Sequence, residues 1–444
     1  MCGIVGYAGK RNSLPLLLEG LERLEYRGYD SAGIAVMLGS AIRIVKTPGK
    51  IKNLRALIEK ERLPDAPIGI AHTRWATHGA PTKANAHPHA DCSKKYTLVH
   101  NGIIENYLSL KKVLQKQGHR FSSQTDTEVV VHLIEECRKS SRDLKGAFLK
   151  ALSRLEGAFA LALISCEEPQ RIFFSRRGSP LIVGVGEDEY FVASDVPAIL
   201  EHTNRVVYLK DNQAGEITRE AMALYDLCGK PQRYSVEKVT WDLESAQKGG
   251  HPHFMLKEIN EQPQVLRHLS VSDIRFDAAL SRRIHAINKI YIVACGTAYH
   301  AGLVGKYAIE QLTAMPVTVD VSSEFRYRQP ILDSGTLVIA ISQSGETADT
   351  LAAVREAKRK KVLVISVCNV VGSSLTRESD EVLYTLAGPE IGVASTKAYT
   401  AQLMILYKFA LLLARIKKAM SKRKYDWYAS QLSHISTLQR AILK

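Results

Sequence analysis

The chain has 444 residues, 45% hydrophobic and 24% charged, with 29 glycines and 15 prolines: a folded globular composition, too long for one ordinary domain. Its net charge is +15, but the basic residues are scattered and aromatic residues make up only 7%, so neither a nucleic-acid groove nor a membrane partner is indicated. Seven cysteines, at 2, 92, 137, 166, 228, 295 and 368, show no paired short spacing, which argues against a zinc ribbon or a disulfide framework and for a reducing compartment.

At the start, Cys2 follows Met1 directly, and a residue as small as Cys lets the initiator be removed. That leaves a thiol and a free α-amine on one residue. An α-amine titrates near pH 7.7–8 (about its free value), so it can take the proton of its own side chain without a separate histidine. Ile4-Val5-Gly6-Tyr7 reads as a short buried strand that would fix the nucleophile at a sheet's end. The bland alternative makes Cys2 only the second residue of that strand. No secretory signal precedes Cys2-Gly3, and a cytoplasmic protein is expected.

Residues 2–240 then read as one α+β unit. Strand patterns fall at 41–45, 68–71, 96–100, 158–164, 171–175, 181–186 and 189–193, and helical patterns at 13–22, 51–60, 107–117, 127–139 and 143–155. Four clusters carry possible chemistry. Arg27-Gly28-Tyr29-Asp30-Ser31-Ala32-Gly33 is a Gly-punctuated turn bearing one cation and one anion. His72-Thr73-Arg74-Trp75-Ala76-Thr77-His78-Gly79 follows a strand, and its Arg could clasp a carboxylate bidentately. His100-Asn101-Gly102-Ile103-Ile104-Glu105-Asn106 offers a side-chain amide beside a small residue's N–H, as an oxyanion hole requires; Asn-Gly is equally a hairpin turn. Ser123-Gln124-Thr125-Asp126-Thr127-Glu128 reads as a helix start, where Asp126 could receive an ammonium group or Thr125 or Asp126 simply cap the helix. His87-Pro88-His89-Ala90-Asp91 mimics a metal-binding pattern, but Cys92 stands where a further ligand would be needed. Those histidines are expected to be structural or pocket-lining, with no metal and no cofactor.

Residues 241–285 read as an interdomain linker with a short amphipathic helix. From 286 to 420 continuous apolar runs at 290–294, 317–321, 337–341, 362–367 and 381–386 alternate with helical stretches, as in a parallel sheet covered on both faces. Two strands end in small polar loops, Cys295-Gly296-Thr297-Ala298-Tyr299-His300 and Ser342-Gln343-Ser344-Gly345-Glu346-Thr347. Hydroxyls and N–H groups at a strand's end, opening a helix, suit a phosphate; neither loop matches a nucleoside-triphosphate or dinucleotide fingerprint. The apolar stretch 403–416, interrupted by Lys408 and Arg415, is expected to be a buried or amphipathic helix. The basic cluster Arg415, Lys417, Lys418, Lys422, Arg423 and Lys424 is expected to be a solvated helix end or interdomain surface, with a polyanion-binding patch as the alternative.

The conjunction of Cys-Gly-Ile-Val-Gly, Thr-Arg-Trp-Ala-Thr-His-Gly, His-Asn-Gly-Ile-Ile-Glu-Asn and Gln-Thr-Asp-Thr-Glu, in that order, resembles the class II glutamine amidotransferase family over residues 2–240. The resemblance implies an αββα sandwich with Cys2 as the nucleophile that forms a γ-glutamyl thioester and its own amine as base. It implies Asn101 and Gly102 as the oxyanion hole, Arg74, Thr77, His78 and Asp126 as holders of the glutamine backbone groups, and Trp75 as a gate for ammonia. The second half, with Ser-Gln-Ser-Gly-Glu-Thr, Cys-Gly-Thr-x-Tyr-His and Gly-Val-Ala-Ser-Thr-Lys, resembles a sugar isomerase (SIS) domain. By that match Thr297, Ser342, Gln343, Ser344 and Thr347 would hold a sugar phosphate, with Val393 and Ser395 lining the sugar; Ala298 stands where many relatives have Ser.

Fused in this order, the halves resemble enzymes that use glutamine to convert fructose 6-phosphate into glucosamine 6-phosphate. Those enzymes carry a second SIS lobe with a Schiff-base lysine, an acid/base glutamate and a ring-opening histidine. No matching positions are found before Lys444, and residues 421–444 read as a helix leading towards that lobe. Glutamine and fructose 6-phosphate are the expected small-molecule partners, and a homodimer through SIS lobes is expected. Two other readings stay open: a stand-alone glutaminase or other amidotransferase, and a sugar-phosphate-binding regulator.

Overall fold

Strand Gly3–Ala8 is buried along its whole length in the computed structural model, which describes residues 2–25, 28–76, 79–239 and 249–443. Side chains alternate across a strand, so one strand can feed two cores. Ile4 and Ala8 enter the apolar layer between two sheets, while Val5 and Tyr7 pack with Leu14, Leu17 and Leu21 of the helix Ser13–Arg23. That double burial is why the segment reads as a continuous apolar run rather than an alternating one.

The chain divides into two compact units, Met1–Leu243 and Glu244–Lys444. In the first unit the described residues form an eight-stranded and a seven-stranded sheet, both antiparallel throughout. Gly3–Ala8 lies between Tyr190–Ala193 and Ile68–Arg74 in the first sheet, and Tyr96–Ile104 pairs with Gly157–Ser165 over nine residues in the second. Helices Tyr107–Lys116, Glu128–Arg138 and Leu144–Leu152 cover the second sheet's outer face through Val130, Ile134, Phe148, Leu161 and Phe173. Helix, sheet, sheet, helix: this is the αββα sandwich.

The second unit carries a five-stranded parallel sheet in the order Val317–Val321, Lys289–Ala294, Thr336–Ser342, Leu363–Cys368, Glu381–Tyr384. Ile290, Ile292, Ile339 and Ile365 face one helical layer; Val293, Val338, Ala340 and Val364 face the other, an α/β arrangement. Residues 254–271, inside the stretch read from sequence as a linker, form one long helix, Phe254–Val271. Val265, Leu266 and Leu269 from it join the second unit's core. Helix Lys422–Ile442 is mostly exposed, buries Ser436, and reaches that helix through Gln439 Nε2 donating to Gln262 Oε1 at 2.6 Å.

Helix Lys397–Ile416 is long and apolar enough to cross a membrane by length and composition. It packs instead as a core element, with Met404, Ile405, Phe409, Ala410 and Leu413 buried against the sheet's helical layer. Its interrupting cation is used locally, since Lys408 Nζ donates to the Leu269 carbonyl at a helix end. The basic cluster is likewise partly occupied: Lys417 Nζ donates to the His285 carbonyl at 2.6 Å, and the Arg415 guanidinium lies 4.8 Å over the Tyr425 ring. Phe409→Ala is expected to lower stability by about 3–5 kcal/mol, read as a shift in urea midpoint; an unchanged midpoint would contradict the core assignment.

Candidate active site

Antiparallel pairing of Gly3 with Thr73 brings the end of strand Ile68–Arg74 beside Cys2. The Trp75 N–H donates to Cys2 Sγ at 3.2 Å, and Sγ lies 3.6 Å from the Trp75 carbonyl. Burial pushes the Cys2 thiol above its ordinary range; the Trp75 N–H, the chain's amino terminus and Arg74 pull it back without cancelling that rise. A thiol in this setting is not ionised in advance and needs a base.

The opposite sheet supplies Asn101, whose Nδ2 donates to the Cys2 carbonyl at 3.0 Å. The amide's orientation is set by His72. Its Nε2 lies 2.9 Å from both Asn101 Oδ1 and the His100 carbonyl, two acceptors, so that nitrogen carries the proton. Burial drives the His72 pKa down to about 3, so the ring is neutral near pH 7. His87 Nδ1 lies 3.1 and 3.0 Å from His72 Nδ1 and Nε2, with the two ring centroids 4.0 Å apart, and His89 Nε2 meets Thr125 Oγ1 at 3.1 Å. The histidines of the His-Pro-His run therefore support the site from beneath, as structural groups.

Asn101-Gly102 is not a turn. Strand Tyr96–Ile104 runs straight through it, with Asn101 opposite Ala160 and Gly102 opposite Phe159. Gly102 has φ +125°, and a Cβ there would sit 2.0 Å from the Ala158 carbonyl oxygen. Only glycine satisfies both demands. Asp126 is buried and does not cap the following helix: its Oδ2 accepts from the Ile104 N–H at 2.8 Å. Glu128 shapes the loop before it. The burial that would raise its pKa is outweighed by His132 and by Ser122 and Ser123, whose N–H groups both donate at 2.7 Å, so it titrates far below the usual carboxylate range.

Arg74 is buried at the strand's end, with Cys2, Asp30 and Asp126 in its electrostatic surroundings, and donates to the Gly79 and Ala80 carbonyls at 3.1 and 3.4 Å. Trp75 is 40% exposed and meets Tyr29 edge-on at 5.3 Å. Asp30 Oδ2 accepts from the Ala76 N–H at 2.7 Å, which holds the chain just past Trp75. Thr77 and His78, and Arg27 of the first cluster, lie outside the described residues.

In the second unit both polar loops open at the C-terminal ends of neighbouring parallel strands, since Ala294 pairs with Ile341. From Lys289–Ala294 the chain leaves to one side for Val317–Val321, then returns to the other side for Thr336–Ser342. The crevice between those two strand ends is a topological switch point, where open α/β sheets bind ligands. Thr297 begins the helix Thr297–Thr313, and the Ser342–Thr347 loop leads into Ala348–Arg359. Ser342 Oγ accepts from the Gly345 N–H at 3.0 Å and lies 3.2 Å from Thr347 Oγ1; Ser344 Oγ accepts from the Glu346 N–H at 3.2 Å. Gln343 holds the next strand's end through its carbonyl, 3.3 Å from the Asn369 N–H. Val393 is exposed, and Ser395 Oγ donates to Glu390 Oε2 at 2.8 Å.

Sequence reading missed Glu258, which falls in the stretch taken as a linker. Its buried carboxylate accepts from the Ile391 and Gly392 N–H groups at 2.6 and 3.0 Å and so pins the loop that carries Val393 and Ser395. Its neighbour Glu261 pairs with the buried Lys397 at 2.5 Å. The i, i+3 spacing of Glu258 and Glu261 on a helix was the available signal.

The folded pKa of His72, about 3, lies below the roughly 6.5 of an unfolded histidine, so protonation favours unfolding. Its contribution is complete above about pH 6.5 and is lost as pH falls towards 3, by up to about 1.4 kcal/mol per pH unit; His87 and His89 act in the same direction. Urea midpoints should therefore fall between pH 7 and pH 5, and a flat profile would contradict the neutral buried cluster. Glu258→Ala should speed hydrogen exchange at Ile391 and Gly392 and cost about 1–3 kcal/mol, with unchanged exchange the contrary result.

A glutamine amidotransferase domain model matches residues 59–227, and an SIS domain model matches residues 283–412. The chain is 52% identical over 434 residues to glutamine--fructose-6-phosphate aminotransferase (isomerizing) of Clostridium tetani, covering 96% of this chain and 71% of that protein. The proteins of the same name from Caldanaerobacter subterraneus and Thermus thermophilus are 51% and 48% identical, over 98% and 100% of this chain and 72% and 74% of their own lengths. With that identity sustained across both units, the chain belongs to the glutamine--fructose-6-phosphate aminotransferase (isomerizing) family.

Proposed function

We propose that the chain serves the glutamine-dependent amination and isomerisation of fructose 6-phosphate to glucosamine 6-phosphate, its first unit hydrolysing glutamine and its second holding the sugar phosphate. The observation that carries the first part is the pairing of Cys2 with an Asn101 amide whose orientation is fixed by a neutral buried histidine. Once Met1 is removed, the α-amine of Cys2 takes the Sγ proton, and the thiolate attacks the side-chain carbonyl carbon of glutamine. Asn101 Nδ2 has two N–H groups, and one is engaged by the Cys2 carbonyl. The other, with the Gly102 N–H, stabilises the oxyanion of the tetrahedral intermediate. The ammonium proton returns to the departing nitrogen, ammonia leaves, and water cleaves the thioester to glutamate.

Arg74 and Asp126 have the charges needed for the carboxylate and ammonium of the substrate's amino-acid end, and Thr77 and His78 complete that subsite. Trp75 is the lid beside the thioester and governs the ammonia's exit. In the second unit, Thr297, Ser342, Gln343, Ser344 and Thr347 hold the phosphate at the switch-point crevice, where helix N-termini favour an anion, and Val393 and Ser395 line the sugar. The protein works in the cytoplasm, a reading supported by seven free cysteines, and pairs as a homodimer through its SIS unit.

Cys2→Ser should abolish glutamate release from glutamine and leave fructose 6-phosphate binding by calorimetry unchanged. Asn101→Ala should lower kcat for glutamate release by about 100- to 1000-fold. Glutamate release that survives Cys2→Ser would remove the nucleophile assignment.

A further inference from the structure

Behind the Asp126 loop, four side chains from three segments converge on one point. Cys92 lies just after strand His89–Ala90, His119 after helix Tyr107–Lys116, and His132 and Glu135 one turn apart on helix Glu128–Arg138. His119 Nδ1 and His132 Nδ1 are 3.3 Å apart, and Glu135 Oε2 lies 3.0 and 3.5 Å from them. Cys92 Sγ lies 3.6 Å from His132 Nδ1 and 4.0 Å from His119 Nδ1, and all four donor atoms fall within 4.8 Å of one another. Ligands about 2.0–2.1 Å (nitrogen, oxygen) and about 2.3 Å (sulfur) from a tetrahedral ion stand about 3.3 to 3.6 Å apart. The five separations given, 3.0 to 4.0 Å, bracket the edges of such a tetrahedron.

Carboxylates stand behind both rings. His119 Nε2 faces Glu136 Oε2 at 2.9 Å, and His132 Nε2 faces Glu128 Oε1 at 3.7 Å. A carboxylate behind the ring is the usual outer partner of a metal-ligating histidine, and both Nδ1 atoms lie on the side of Cys92 and Glu135. Two imidazole nitrogens, a carboxylate oxygen and a sulfur, all metal-ligand types, thus meet within 4.8 Å of one another. The Arg120 N–H donates to Cys92 Sγ at 3.3 Å, and Phe121 packs against the His132 ring at 4.5 Å, so the donors are held in place.

We propose that Cys92, His119, His132 and Glu135 bind a zinc ion, as a closed structural site that ties the segment from His119 towards Asp126 to helix Glu128–Arg138 and to the turn at Cys92. This revises the expectation of no metal, which considered His87 and His89; those two belong to the cluster under Asn101. Four protein ligands leave no open position, so the ion's role is to hold the fold.

The test uses the full chain in a Cys2→Ser background, made without a metal-affinity tag, so that the nucleophile cannot contribute thiolate. Zinc by mass spectrometry should be near one per chain after desalting. Cobalt(II) substitution should give the visible bands of a tetrahedral ion with a thiolate charge-transfer band that Cys92→Ser removes. Cys92 is exposed, and circular dichroism would verify that Cys92→Ser folds. Glu136→Gln, which keeps the ligands but weakens the partner on His119, should lower zinc affinity about 10- to 100-fold in a chelator competition. Zinc far below stoichiometry after growth with added zinc would overturn the proposal. So would an octahedral cobalt spectrum, or a charge-transfer band that persists in Cys92→Ser.

Discussion

One buried imidazole joins the two sheets of the first unit at the place where chemistry is expected. His72 comes from the eight-stranded sheet and donates across the interlayer to the His100 carbonyl and to Asn101 Oδ1 of the other. Because its ring stays neutral, the bridge holds without an unpaired buried charge, which would cost far more than the hydrogen bonds return. Asn101 is thereby locked with its amide N–H groups towards Cys2. The remaining site residues depend on this register: Gly102 at φ +125° follows Asn101 in the same strand, and Ile104, two residues further on, holds Asp126.

The same economy operates in the second unit through backbone rather than side chains. Its loops sit where the parallel sheet changes direction, and their hydroxyls are turned on their own N–H groups, which shapes short turns at helix starts. The buried Glu258 carboxylate plays the part there that His72 plays in the first unit, since both are polar groups from one segment that fix the backbone or amide of another.

Much of this was legible in the sequence. Apolar runs at 4–7 and 290–294 gave strands because each is buried on both faces. The polar clusters at 72–79, 100–106 and 342–347 stand at strand ends, where side chains escape the repeating pattern. Asn101-Gly102 was ambiguous, because the same dipeptide serves a hairpin turn; only pairing with Ala160 and Phe159, nearly sixty residues away, decides for a strand. The partners of Asn101 and of Cys92 were not legible at all. His72 and His87, and again Cys92, His119 and His132, are separated by loops whose path no local pattern fixes, so their convergence is a product of sheet order and helix packing. Glu258 was hidden for another reason: turn residues before it suggested a connector, whereas the helix that follows is part of a core.

The proposed glutaminase chemistry stands on an amino-terminal Cys2, one of seven cysteines, acting as the nucleophile. The most direct measurement is intact-protein and peptide mass spectrometry after treatment with an electrophilic glutamine analogue. The account predicts a chain lacking Met1, with label on Cys2 alone and protection of that label by excess glutamine. Retained Met1 with no labelling, or label spread to Cys92 or Cys166 without glutamine protection, would contradict it.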